Sequence, residues 1–246
     1  MVTPLTADRF HAFSAQHYVL MLITAVGVVV AIWWGRSHRG TSQEVMARRG
    51  FASVGLLVTV GMQIYWLTPG VRDVRNSWPL QLSDLADYTA AYALWTRGLR
   101  TSAFTYYVGL SLTLAAVITP ALTQPFPDPR WFGFWARHIF VVWAAVYLVW
   151  GLGIRPTWRL YRTTVVAVLG WAVVAYVFNV VMGTNYGYLV ETPSTSTPLD
   201  LLGPWPWYVL GAMAILLTLW AVVFTLPWER ARARAAATGA GSLPRV

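Results

Sequence analysis

This chain of 246 residues has no lysine; all eighteen of its basic side chains are arginine. That absence removes the lysine on which a retinal protein builds its Schiff base, and every other lysine nucleophile. There is no cysteine either. Disulfides, thiolate catalysis, thiolate metal sites and covalently attached haem are therefore excluded. Charge is scarce: 11% of residues are charged and only nine are acidic, where a soluble domain has roughly 25% charged. A cleavable signal pattern is also missing. Residues 1–16 are polar and mixed, and the apolar block that follows is long enough to be a mature span.

Apolar residues make up 57% of the chain, mean hydropathy is +0.52, and the apolar residues lie in long blocks. The fold class expected is an all-α polytopic membrane protein with a single transmembrane domain. A span needs about 20 apolar residues. Seven blocks meet that requirement, at approximately 17–35, 51–67, 79–96, 101–119, 131–153, 163–183 and 205–226. Turn signals separate them, including Thr68-Pro69-Gly70, Pro120, the run 124–129, and Arg155-Pro156. Pro79 suits the first turn of a helix, where its missing N–H costs nothing. Residues 229–246 read as a basic tail.

The arginines orient the bundle. Thirteen fall on one side: Arg36, Arg39, Arg48 and Arg49 after span one, Arg97 and Arg100 after span three, Arg155, Arg159 and Arg162 after span five, and four in the tail, Arg245 among them. Five fall on the other: Arg9, Arg72, Arg75, Arg130 and Arg137. Basic loops stay in the cytoplasm. The N-terminus is then outside and the C-terminus inside, as an odd number of spans requires. This distribution also accounts for the net charge of +9 without nucleic acid as a partner. Tryptophans at span ends, such as Trp33, Trp66, Trp131 and Trp205, read as interfacial belts.

One stretch breaks the apolar pattern. Ser77 to Tyr88 opens the third span, yet it holds Gln81, Ser83, Asp84 and Asp87. Ionisable groups inside a span are costly and mark candidate sites. At 1.5 Å per residue, Ser83 lies roughly 6 Å and Asp87 roughly 12 Å below Pro79, and His138 roughly 10 Å below Trp131. Asn179, followed by Asn185 and Tyr186, is near the same surface, as is His17 at the start of span one. These residues are expected to share one cavity on the outer half of the bundle, with nothing comparable on the inner half.

Such a set fits acyl transfer. Ser83 is the expected nucleophile, His138 its base and Asp84 the group that orients the histidine. Gln81, Asn179 or Asn185 can donate to the oxyanion. Two other chemistries stay open: zinc-assisted hydrolysis through His11, His17, His138 and an aspartate, and haem held by His17 and His138. Neither is preferred, and no cofactor or metal is expected. Structural roles compete as well. Asp84 and Asp87 can form a network with Arg75, Arg137 or His138; His138 can simply pack; Ser83 can bond back to the preceding turn.

The run Pro79-Leu80-Gln81-Leu82-Ser83-Asp84-Leu85 resembles the P-L-x-L-C-D-L signature of bacterial YwaF-type integral membrane proteins. Phe13 to His17, His138, Asn179, the stretch Gly183 to Leu189, and Gly203 to Pro206 fit the same pattern, so the resemblance covers nearly the whole chain. It implies a protein of the bacterial cytoplasmic membrane, and animal relatives similar to lipid acyltransferases that use a cysteine and a later histidine. Related folds include androgen-induced fatty-ester hydrolases, which use a threonine and a histidine. Carried over, the nucleophile is Ser83 in place of cysteine, and the histidine is His138. Membrane lipids are the implied substrates. The competing class is a non-enzymatic lipid-binding or transport module, or a subunit of an envelope complex with membrane-protein partners.

Overall fold

The structure is a computed structural model that describes residues 9–193 and 197–238, so Arg245 and the end of the expected tail lie outside the described residues. The described residues form α-helices and short helical turns, with no strand among them. In chain order the helices are α1 (Ala15–Ser37), α2 (Ser42–Leu67), α3 (Leu82–Thr96), α4 (Leu99–Ile118), α5 (Pro129–Gly151), α6 (Trp158–Met182) and α7 (Trp207–Ala237). All but α3 are long and apolar enough to cross a membrane, six in number, and the protein is an integral membrane protein. Helix α3 has fifteen residues, about 22 Å at 1.5 Å per residue, against a hydrocarbon core of about 30 Å.

Local chemistry sets the helix starts. Ser14, Thr41, Asp128 and Thr157 each accept a backbone N–H from the first turn of α1, α2, α5 and α6, which satisfies donors that have no intrahelical partner. Thr41 and Glu44 carry the spacing of a capping box. They start α2 nine residues before the apolar block expected at residue 51, and this places Glu44 and Arg48 inside a helix rather than in a loop. Pro79 does not open α3 as expected. Residues 77–81 form an irregular strap, and the helix begins at Leu82.

Helix α3 is the centre of the bundle. It packs against α2, α4 and α5, and Ala86, Ala90, Ala93 and Leu94 have no exposed surface. Small side chains let helices approach closely where lipid supplies no hydrophobic drive between them. Helices α2 and α3 run antiparallel. Near the start of α2, Arg48 Nη1 donates to the carbonyls of Leu94 and Trp95, at the end of α3. Near the end of α2, Gln63 Nε2 donates to the Ser77 carbonyl at 2.8 Å. The strap and α3 together therefore traverse the same height as residues 48–63 of α2.

One end of the bundle gathers the arginine-rich segments. Arg36 Nε donates to the Trp150 carbonyl, Arg39 to Gly151 and Arg232 to Pro156. The other end joins Phe10 to Thr123, and Tyr186 to Val74 and Trp78. This partition is the one expected from the loops. Helix α1 lies on α5, where the Gly27 backbone sits so close to the Trp143 indole that a Cβ there would come within 2.0 Å of it.

Candidate functional site

The polar start of α3 meets α5 through one arginine. Arg137 Nε donates to Asp87 Oδ2 at 2.6 Å, and Nη2 donates to Asp84 Oδ1 at 2.5 Å and also to Asp87. Asp84 has a second task, because its Oδ2 accepts the Gln81 N–H at 2.9 Å. Asp87 is buried, and Asp84 and Arg137 are half-buried. Arg137 bonds both acids, so α3 and α5 are held at matched depth. Ser83 precedes Asp84 on α3, and His138 follows Arg137 on α5. Of the structural partners weighed for the acids, Arg137 is the one that forms.

Ser83 is half-buried. As the second residue of α3 it has no helical carbonyl four residues behind it, since Pro79 lies in the strap. Thr24, Thr105 and Ser111 do bond back to their preceding turns; among the described residues the Ser83 hydroxyl has no such bond. His138 is half-buried and stacks on Phe134, with ring centroids 4.1 Å apart. Its Nδ1 lies 2.8 Å from the Phe134 carbonyl. A carbonyl only accepts, so Nδ1 carries the proton, and in the neutral ring Nε2 is left with a free lone pair. Among the described residues no hydrogen bond joins Ser83 to His138. Asp84 does not orient His138 as expected; the Phe134 carbonyl does so instead, and Asp84 is engaged by Arg137 and Gln81.

The remaining polar residues expected to share a cavity mostly bond to backbone and to one another. Asn179 Nδ2 donates to the Tyr186 carbonyl, while its Oδ1 accepts from Tyr186 N and Thr184 Oγ1. The Tyr186 hydroxyl donates to the Val74 carbonyl and accepts the Trp78 N–H. Burial pushes that phenol above its usual range, which keeps it a donor. Asn185 closes its own loop through Val190 and Glu191. Gln81 Oε1 accepts the Gly187 N–H at 3.0 Å, and Trp171 Nε1 donates to the Leu80 carbonyl. The strap before Ser83 is thus pinned from α6 and its following loop. Asn179, Asn185 and Tyr186 spend their polar atoms on backbone and on Thr184, whereas the Gln81 amide nitrogen is free among the described residues.

His17 is fully buried, and both its ring nitrogens are taken. Nδ1 accepts the Phe13 N–H at 2.8 Å and Nε2 donates to the Val117 carbonyl at 2.8 Å. A metal or haem ligand needs one nitrogen free, so His17 does not fit the zinc or haem set. Among the described residues no three His, Asp or Glu side chains gather where a metal ion would sit.

The expectation of a bare inner half is overturned. Glu44 and Arg48 are both buried, with Arg48 Nε 2.7 Å from Glu44 Oε1, and the Tyr147 hydroxyl donates to that same oxygen at 3.0 Å. The signal was the capping spacing at Thr41 and Glu44 followed by an acid and a base four residues apart. The apolar block begins only at residue 51, after this signal.

A family model described as the TMEM164 family matches residues 12–224 of the chain. No match is found among curated proteins or among solved structures.

Proposed function

This chain belongs to the TMEM164 family, and on that premise we propose that it is a lipid acyltransferase or ester hydrolase of the cytoplasmic membrane, with Ser83 as nucleophile and His138 as base. The observation that carries the reading is a pair of uncommitted atoms on two helices that pack together: the Ser83 hydroxyl, and the His138 Nε2 lone pair left by the bond from Nδ1 to Phe134. The relation to acyltransferases and to YwaF-type proteins is part of the proposal.

In the step proposed, Nε2 takes the Ser83 proton as the serine oxygen bonds to the carbonyl carbon of a lipid ester. The ester bond to the lipid's alkoxide oxygen breaks, and that oxygen leaves with the proton held by His138. Water or a lipid hydroxyl then takes the acyl group by the reverse exchange. The first N–H groups of α3 have no helical partner and, with the Gln81 amide, supply donors for the oxyanion. Asp84 and Asp87 act at one remove, by locking α3 to α5 through Arg137. The arginine-rich end faces the cytoplasm, α3 with its strap counts as the seventh span, and the site opens to the outer side.

A non-catalytic lipid-binding role is the second reading. It is favoured by the commitment of Asp84 to Arg137, which leaves the histidine without a carboxylate. Reconstituted protein with phospholipid carrying a labelled acyl chain separates the two. The catalytic reading expects acyl release or transfer that Ser83→Ala and His138→Gln each lower by roughly 100-fold or more, the scale of positioned acid–base catalysis. Lipid bound at equal affinity with no turnover in wild type supports the second reading.

A further inference from the structure

Arg137 has one nitrogen that the ion triad does not use. Its Nε and Nη2 are committed to Asp87 and Asp84. Among the described residues Nη1 makes no hydrogen bond, and it is not sealed inside the protein. Arg137 also lines a cavity of about 280 Å³. Helix α1 packs chiefly on α5, and α2 on α3 and α5. The cavity lies among the three, walled by Ile23 of α1, Val54 and Val58 of α2, and Phe140 and Trp143 of α5. Of its lining side chains only Arg137 and Trp143 carry a polar atom, and Trp143 Nε1 already donates to the Thr24 carbonyl. The guanidinium is therefore the one uncommitted polar side chain on the walls.

The mouth of the cavity faces the bilayer, since Ile23 and Val54 are exposed on apolar helices. Donors left facing hydrocarbon are costly, so Nη1 calls for an acceptor. Three kinds are open to it. A carboxylate or phosphate would bring a further anion to a guanidinium that two carboxyl groups already share, where no positive charge is in surplus. A hydroxyl would bring a donor of its own, and no uncommitted side-chain acceptor lies on these walls. A carbonyl accepts, donates nothing and carries no charge. In a bilayer the carbonyl that arrives with an apolar chain attached is that of an acyl ester.

We propose that this cavity binds an acyl chain of a glycerolipid, whose ester carbonyl accepts from Arg137 Nη1. The site uses neither Ser83 nor His138 and stands whether or not Ser83 is a nucleophile.

The test is photolabelling of the purified Ser83→Ala protein, in which no acyl transfer through Ser83 consumes the probe, with adducts mapped by mass spectrometry. The nanodiscs are of diether phosphatidylcholine, which has no ester carbonyl. Three probes carry the same chain diazirine: a diester phosphatidylcholine, its diether analogue and palmitic acid. The diester should label the cavity walls of α1, α2 and α5 several-fold more than the diether or the acid, and unlabelled diester should compete. Ile23→Trp and Val54→Trp fill the mouth from exposed positions. Either variant, melting as its parent does, should abolish the excess. Arg137→Lys keeps a cation for the two acids but removes Nη1, and should bring diester labelling down to the diether level. The diester-to-diether ratio is read with Arg137 in place, so the test does not depend on that variant folding. Equal labelling by diester and diether would overturn the proposal. So would stronger labelling by the acid, or an excess that survives both tryptophan variants or a folded Arg137→Lys.

Discussion

Arg137 on α5 lies 2.6 Å from the Asp87 carboxylate on α3, and Asp87 is only 2% exposed. The same guanidinium bonds Asp84 one turn earlier, so a single cation is shared by two carboxyl groups where the two helices meet. Arg137→Leu should therefore destabilise the bundle by about 3–5 kcal/mol, the cost of stranding a buried charge. The double variant Arg137→Leu with Asp87→Leu should regain part of that loss, because one stranded charge goes with its partner. Thermal unfolding in detergent measures both. A double variant no more stable than the single would show that the triad does not hold the helices.

Asn179 and Tyr186 clamp the strap that leads into α3. Asn179→Ala removes three hydrogen bonds and leaves the Tyr186 backbone N–H and carbonyl unpaired in the interior. The expected cost is about 1–3 kcal/mol for each group left unsatisfied. Tyr186→Phe loses only the bonds to Val74 and Trp78 and should cost less. The strap is the first segment expected to open, so limited proteolysis between residues 68 and 81 should accelerate in the same order, Asn179→Ala ahead of Tyr186→Phe.

Asp128 caps α5 outside the membrane-spanning part. Its carboxylate accepts two side-chain bonds from Arg130 and one from the Arg130 backbone, and the Arg130 side-chain bonds hold it below the usual carboxylate range. Because the folded value is lower than the unfolded one, the stabilisation is present above roughly pH 4 and fades as pH falls through the folded value. The melting temperature of wild type should drop faster than that of Asp128→Asn below that pH. The gap should be small, since exposed ion pairs are worth about 0–1 kcal/mol. Parallel curves would contradict the assignment.

The apolar blocks already contained the helices, and the arginines already divided the loops into the two ends that Arg36, Arg39 and Arg232 now tie together. Asp84, Asp87 and Arg137 stood out as charges in apolar segments, and a network among them was one of the roles they allowed, beside Asp84 as the orienter of His138. The burial of Arg48 was not legible, because it depends on the carbonyls of Leu94 and Trp95, forty-odd residues away. Nor was the division of labour among the polar residues near Ser83. Asn179, Asn185 and Tyr186 looked like cavity donors by type and depth, but the loop after α6 turns them onto its own backbone and onto the strap. His17 was expected beside the cavity, but both its nitrogens bond backbone, at Phe13 and Val117. Local pattern fixes which helix a side chain sits on. Which atom it bonds is decided by contacts distant in sequence.

Covalent labelling of Ser83 tests the central claim most directly. A fluorophosphonate with an alkyl tail loses fluoride to an activated serine oxygen and leaves a stable adduct. After incubation of the membrane-embedded protein, the peptide carrying Ser83 should gain the probe's phosphonate mass. Ser83→Ala should lose that adduct, and His138→Gln should slow its formation by roughly 100-fold. An unmodified Ser83 peptide, or an adduct that forms as fast without His138, would contradict the account.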